Sequence, residues 1–144
     1  MVRKTKLLFW KRHNAFLVTF LAFLGFAPSC NHEMKYGTPT ASFIVKGKVE
    51  STQTNSPINN IRIIINQDSL VTDVSGNYQF PGIQDFPGNK TFAVRFKDID
   101  GATNGQFKTL DTLVAFTDPV FTGGDGEWNK GETEKVFNVK LKPE

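Results

Sequence analysis

The chain has 144 residues, a formal net charge of +3 and one cysteine, enough for a single domain of ordinary size. That excludes a two-domain enzyme, a (β/α)8 barrel and most large cofactor folds. Residues 1–30 hold five basic residues and no acid, which leaves twelve basic against fourteen acidic residues in 31–144, a net charge of −2 that argues against nucleic-acid binding by the body.

Arg3, Lys4, Lys6, Lys11 and Arg12 form a positive n-region, followed by an uncharged, mostly apolar run over residues 15–27. Those thirteen residues fall short of the ~20 that a spanning helix needs, and they fit the helical h-region of a secretory signal peptide. The run ends in Ala27-Pro28-Ser29-Cys30. This ending resembles the lipobox of bacterial lipoproteins, with Ser29 as the small residue before the cysteine and Ala27 where that family usually has Leu. The resemblance implies cleavage before Cys30, a diacylglycerol on its sulfur and acyl chains such as palmitate. Two other outcomes fit the same residues: a secreted protein cleaved near Ala27, or an uncleaved membrane anchor. A lone cysteine makes no intramolecular disulfide, and acylation would use up its thiol. One acyl chain holds weakly at ~0.8 kcal/mol per buried methylene, whereas two or three anchor firmly. The expected organisation is a signal peptide over 1–29, a lipidated N-terminus and tether over 30–42, and a β domain over 43–144.

From Phe43 onward, period-2 patterns alternate with turn signals. Phe43, Val45, Gly47 and Val49 share one face, with Ile44, Lys46 and Lys48 on the other. Asn59-Asn60 precedes a strand in which Ile61, Ile63 and Ile65 point one way. Ser75-Gly76-Asn77 is a turn before Tyr78-Gln79-Phe80, and Pro87-Gly88-Asn89 is a turn before inward Phe92, Val94 and Phe96. Further strands are expected over residues 109–116 and 135–141, the last with Phe137, Val139 and Leu141 inward. No segment of 43–144 keeps a 3.6-residue apolar stripe for three turns. The fold class is therefore all-β, a two-sheet sandwich, and about 100 residues suit six to eight strands. Nine of the fourteen phenylalanines fall in 43–144, enough large apolar area for a core without disulfides.

Val45-Lys46-Gly47-Lys48-Val49, Ser56-Pro57-Ile58, Ile61-Arg62-Ile63 and Thr72-Asp73-Val74-Ser75-Gly76-Asn77-Tyr78-Gln79-Phe80 together resemble carboxypeptidase-regulatory-like domains over roughly 43–100, which implies a transthyretin-like Greek-key β-sandwich of about seven strands. A wider resemblance takes in Tyr36-Gly37-Thr38-Pro39-Thr40-Ala41, Val45-Lys46-Gly47-Lys48-Val49 and Gly123-Gly124-Asp125-Gly126-Glu127-Trp128-Asn129-Lys130-Gly131-Glu132. These motifs are similar to those of the radical-SAM-associated lipoproteins, small bacterial envelope proteins named for neighbouring genes. The resemblance implies an envelope location, on the outer membrane of a gram-negative bacterium, and a radical SAM enzyme as partner. It implies no assigned activity.

Catalysis finds little support in the residue inventory. The two histidines are His13, in the signal segment, and His32, beside Cys30, which excludes Ser-His-Asp and Cys-His arrangements and His/Cys zinc sites in the β domain. A carboxylate-pair hydrolase is not excluded by inventory, but nothing singles out a pair. The expectation is a non-enzymatic module with no cofactor.

Four weaker signals remain. Asp98, Asp100 and Asn104 place oxygen ligands near glycine turns, as calcium prefers, and Asp118, Asp125 and Glu127 form a second acidic loop; Asp, Asn and Gly are equally the common turn formers. Asp68-Ser69-Leu70 and Asp111-Thr112-Leu113 resemble an O-glycosylation acceptor motif of some envelope bacteria, on Ser69 and Thr112. The loop over 117–133 carries Phe121 and Trp128, which read either as a stacking platform for carbohydrate or as rings covering the open end of the core. An isopeptide bond from Lys46 or Lys48 to Asn138 is disfavoured, because alternation turns all three outward. The leading expectation is a lipid-anchored interaction or structural module. The alternatives are a peptide substrate of a radical SAM maturase and a carbohydrate-binding module.

Overall fold

The computed structural model describes residues 37–144. Cys30, the signal segment, His13, His32 and Tyr36 lie outside the described residues. Within them the chain is an all-β sandwich of two sheets. Its strands are β1 (Thr40–Ser51), β2 (Ile61–Ile65), β3 (Asp68–Val71), β4 (Asn77–Gln79), β5 (Ile83–Asp85), β6 (Lys90–Asp98), β7 (Leu110–Phe116), β8 (Thr122–Gly123), β9 (Asn129–Val136) and β10 (Val139–Leu141). Among the described residues the only helical turn is a 3-10 turn over Gly101–Thr103.

Register reduces the ten segments to fewer rows. Lys46 pairs with Val136 and Val49 with Val139, so β9 and β10 are one strand, parallel to β1 and interrupted at Phe137-Asn138. On the other side of β1, β4 pairs at Gly47↔Tyr78 and β5 at Ser42↔Gln84. Those registers differ by one residue, so β4 and β5 are a second interrupted strand. The first sheet is thus a row of β8, β9–β10, β1 and β4–β5. The second has the order β3-β2-β6-β7, antiparallel throughout. Leaving out two-residue β8, seven rows remain, within the six to eight that about 100 residues suit.

The alternation that defines the strands also fills the core. Phe43, Val45 and Val49 of β1 meet Ile61, Ile63 and Ile65 of β2, and Phe92, Val94 and Phe96 of β6. Phe43 is the hub, with ring centroids 5.5 Å from Phe92, 5.1 Å from Phe116 and 5.5 Å from Phe121, all edge to face. Full burial of each such side chain contributes about 1.5–3 kcal/mol, and edge-to-face pairs add to that. Phe86 is the exception among the aromatics, 54% exposed with the Lys90 ammonium over its ring. Among the described residues the core and the pairings of the named strands lie within 40–141, and Gly37–Glu144 forms one compact unit.

Three boundaries differ from the sequence reading. β1 starts at Thr40, so residues 40–42 are strand and not tether. Ala41 is already buried, and the Thr40 N–H donates to the Trp128 carbonyl (2.8 Å). The last strand begins at Asn129, well before residue 135, because parallel pairing with β1 supplies partners that side-chain pattern does not reveal. It also breaks at Phe137-Asn138, and Phe137 is half-buried against the core.

That break explains Gly47. A Cβ on Gly47 would lie 2.1 Å from the Phe137 carbonyl oxygen and 2.7 Å from its carbon, so only glycine fits. The Phe137 N–H donates to the Lys46 carbonyl (2.7 Å), the Tyr78 hydroxyl donates to the Phe137 carbonyl (2.6 Å), and the Lys48 N–H donates to Asn138 Oδ1 (3.0 Å). The ladder is rerouted through side chains and not lost. Burial of its ring pushes the Tyr78 phenol well above its ordinary value, so it stays a donor.

Candidate functional site

The loop that follows β6 carries the candidate calcium ligands. Asp98 Oδ1 accepts the N–H of Asp100 (3.1 Å) and Gly101 (3.2 Å), and its Oδ2 accepts the N–H of Phe107 (2.9 Å). Phe107 is buried in the core, so Asp98 ties the loop to the sandwich. Asp100 Oδ2 accepts from Asn60 Nδ2 (2.8 Å), while Asn104 donates its amide to the carbonyl and side-chain oxygens of Asn59. Asp100 and Asn104 therefore fasten the loop to the Asn59-Asn60 segment before β2, while Asp98 braces the loop from within. Among the described residues, no three His, Cys, Asp or Glu side chains converge on a point. Asp100 Oδ1 is buried with no hydrogen-bond partner, one carboxylate oxygen with capacity to spare. Asn59 and Asn60 lie some forty residues upstream, and no local signal linked them to this loop.

The segment expected as a long loop over 117–133 is mostly the β8–β9 hairpin. Asp125 Oδ1 accepts the N–H of Glu127 (2.8 Å) and Asn129 (3.0 Å), closing the tip. Gly131 has φ +91°, and a Cβ there would lie 2.0 Å from the Thr122 carbonyl oxygen. The glycines of Gly123-Gly124-Asp125-Gly126-Glu127-Trp128 and Gly131 thus sit in a hairpin whose strands approach closely. Phe121 turns inward against Phe43. Trp128 is half-buried, with its ring at contact distance from Gly37. Phe121 therefore packs against the core, and Trp128 stays partly exposed in the hairpin. Asp118 lies apart, its N–H donating to Asn89 Oδ1 (2.6 Å).

The remaining candidates fall on sheet edges and outer faces. Ser69 lies exposed on β3, and Thr112 half-buried on β7, at opposite edges of the second sheet. Lys46 pairs with Glu134 (2.7 Å) and Lys48 with Glu50 (3.3 Å) on the outer face of the first sheet, and Asn138 accepts a backbone N–H. An amine-to-amide crosslink has no shared buried site among those three.

Two turns show how this surface handles charge. Asp73 Oδ1 accepts the N–H of Asn77 and Ser75 (2.8 Å each), and the Asn77 bond is the main reason its carboxyl sits below the ordinary range. The hydrogen bond from Lys90 does the same for Asp85. On the second sheet the Arg95 guanidinium contacts Asp111 at 2.6 and 3.1 Å, lowering the Asp111 carboxyl and raising Arg95. All of these are structural pairings on the protein's surface. Compared with known proteins, the chain matches no family model, and no curated protein matches it.

Proposed function

We propose that this chain is a lipid-anchored protein of the cell envelope, on the outer membrane of a gram-negative bacterium, whose sandwich acts as a non-catalytic interaction or structural module. The observation that carries this reading is an order in the sequence. A basic n-region and a short apolar run end on the only cysteine, ten residues before β1 begins. The carboxylates Asp73, Asp85, Asp98, Asp111 and Asp125 support it, because each holds a turn or pairs with a cation. The Tyr-Gly-Thr-Pro and Gly-Gly-Asp-Gly-x-Trp motifs favour a radical SAM enzyme as functional partner.

The test is the intact mass of the protein purified from its own membrane. A chain beginning at Cys30 and carrying diacylglycerol and a further acyl group is the expected result. A free chain starting near Pro28, or an unprocessed chain from Met1, would overturn the anchor. The same spectrum addresses a second reading, in which the exposed hairpin bearing the second motif is the substrate of a radical SAM maturase. That reading requires a mass change beyond lipid and glycan, localised by fragmentation to residues 122–136. A carbohydrate-binding role predicts a ligand that Trp128→Ala abolishes; the inward turn of Phe121 argues against it.

A further inference from the structure

The two outer faces of the sandwich treat their cations differently. On the first sheet, Lys46 and Lys48 each have a carboxylate partner. On the second, Arg62 of β2 and Lys97 of β6 are direct cross-strand partners, both exposed. Neither has a salt-bridge partner among the described residues. Like charges directly opposite on neighbouring strands are destabilising, so the pair is held against a local penalty. The sheet is able to neutralise charge where its sequence provides for it, as Arg95 and Asp111 show one row further along. Apolar side chains share the same face: Val71, across from Arg62 on β3, is 42% exposed, and Leu113 on β7 is 65% exposed. Between Arg95 and Leu113 the face dips into a depression of about 570 Å³.

We propose that this face docks on an anionic phospholipid surface. Arg62 and Lys97 take headgroup phosphates, and Leu113 and Val71 sit at headgroup level. A phosphate between the two cations removes the repulsion that the free sheet carries. Two unpaired cations are too few to hold a nucleic acid, whose binding draws on many phosphate contacts. The mixture of cations and exposed aliphatics on one sheet face is what an anionic lipid interface selects. The inference rests on the anchored reading in one respect. The ten residues from Cys30 to Thr40 reach at most about 35 Å, so an acyl anchor keeps the sandwich within about one domain diameter of the bilayer.

The test uses residues 37–144, which contain the whole compact unit and neither Cys30 nor the signal segment. Failure here therefore leaves the anchor untouched, and the mass measurement tests the anchor without involving this face. Co-flotation with phosphatidylglycerol vesicles is expected, reduced by salt and absent with phosphatidylcholine. The double variant Arg62→Ser/Lys97→Ser is expected to lose about 30-fold in partitioning, at about fivefold per cation. Lys46→Ser/Lys48→Ser, the same charge change on the other sheet, is expected to lose far less. If the serine pair misfolds by circular dichroism, Arg62→Gln/Lys97→Gln replaces it. Equal binding to both vesicle types, no binding to either, or equal losses from the two double variants would each overturn the proposal. So would capture by soluble polygalacturonate without capture by vesicles, which would make the partner an acidic polysaccharide.

Discussion

Two places where the strand ladder is interrupted show how differently one chain can restore its hydrogen bonds. At the crossing of β1 with the last strand, the break at Phe137-Asn138 is closed by Gly47, the Tyr78 hydroxyl and the Asn138 amide, against the core. In the loop over 98–107, the chain leaves β6 and is held by Asp98, Asp100 and Asn104 in a more exposed setting. Both use side chains in place of ladder partners. At the crossing, a lost partner leaves a group that water does not reach easily. In the loop, water substitutes. The first should therefore be intolerant and the second forgiving, even though the second has more polar residues.

The largest expected effect is Gly47→Ala. Its methyl needs the space of the Phe137 carbonyl, and the last strand has to move, so urea melts should show a loss of about 3 kcal/mol or more. Tyr78→Phe keeps the ring packing against Phe96 and removes only the donor to Phe137, for an expected loss of about 1–2 kcal/mol in the same melts. Asp98→Ala withdraws the acceptor of three loop N–H groups, one of them at exposed Gly101 and one at half-buried Asp100, and should cost about 1 kcal/mol. A larger loss from Asp98→Ala than from Tyr78→Phe would reverse the comparison.

A smaller effect is expected in acid. The folded Asp73 and Asp85 carboxyls lie below their ordinary values, held by backbone N–H groups at Asp73 and by Lys90 at Asp85. Their contribution is complete above the unfolded value of about 3.9 and is lost as pH falls through the lower folded values. Melting temperature should therefore drop below about pH 4, and Asp73→Asn should flatten that drop. The smallest effect concerns calcium. Because Asp98, Asp100 and Asn104 are committed to loop contacts, millimolar calcium should leave the melting temperature unchanged. A rise that Asp100→Asn removes would show that the partnerless Asp100 oxygen takes a cation.

The strands visible in the sequence were those with apolar residues at every second position. Ile61-Ile63-Ile65 and Phe92-Val94-Phe96 are inward as read, because alternation on a half-buried sheet is a direct image of burial. β3, β5 and β8 were not visible. They are two to four residues long and largely polar, and they exist because neighbouring strands offer N–H and C=O partners. The polar loop after β6 was recognisable as a cluster of oxygen-bearing side chains. What each oxygen does was not, since Asn59 and Asn60 reach Asn104 and Asp100 across some forty residues of chain. Arg62 and Lys97 were likewise ordinary outward residues of two strands until the register set them face to face.

The sequence by itself determined the all-β class, the inward set of phenylalanines and isoleucines, and the acidic balance of residues 31–144 beside a basic N-terminal segment. These follow from local periodicity and composition, which need no partner to be read. The tertiary structure alone decided that the last strand runs parallel to the first, that Gly47 has to be glycine, that Phe121 belongs to the core, and that two unpaired cations meet on one outer face. Those depend on which distant segments come together. Backbone hydrogen bonding and steric fit between such segments leave no trace in the pattern of either one alone.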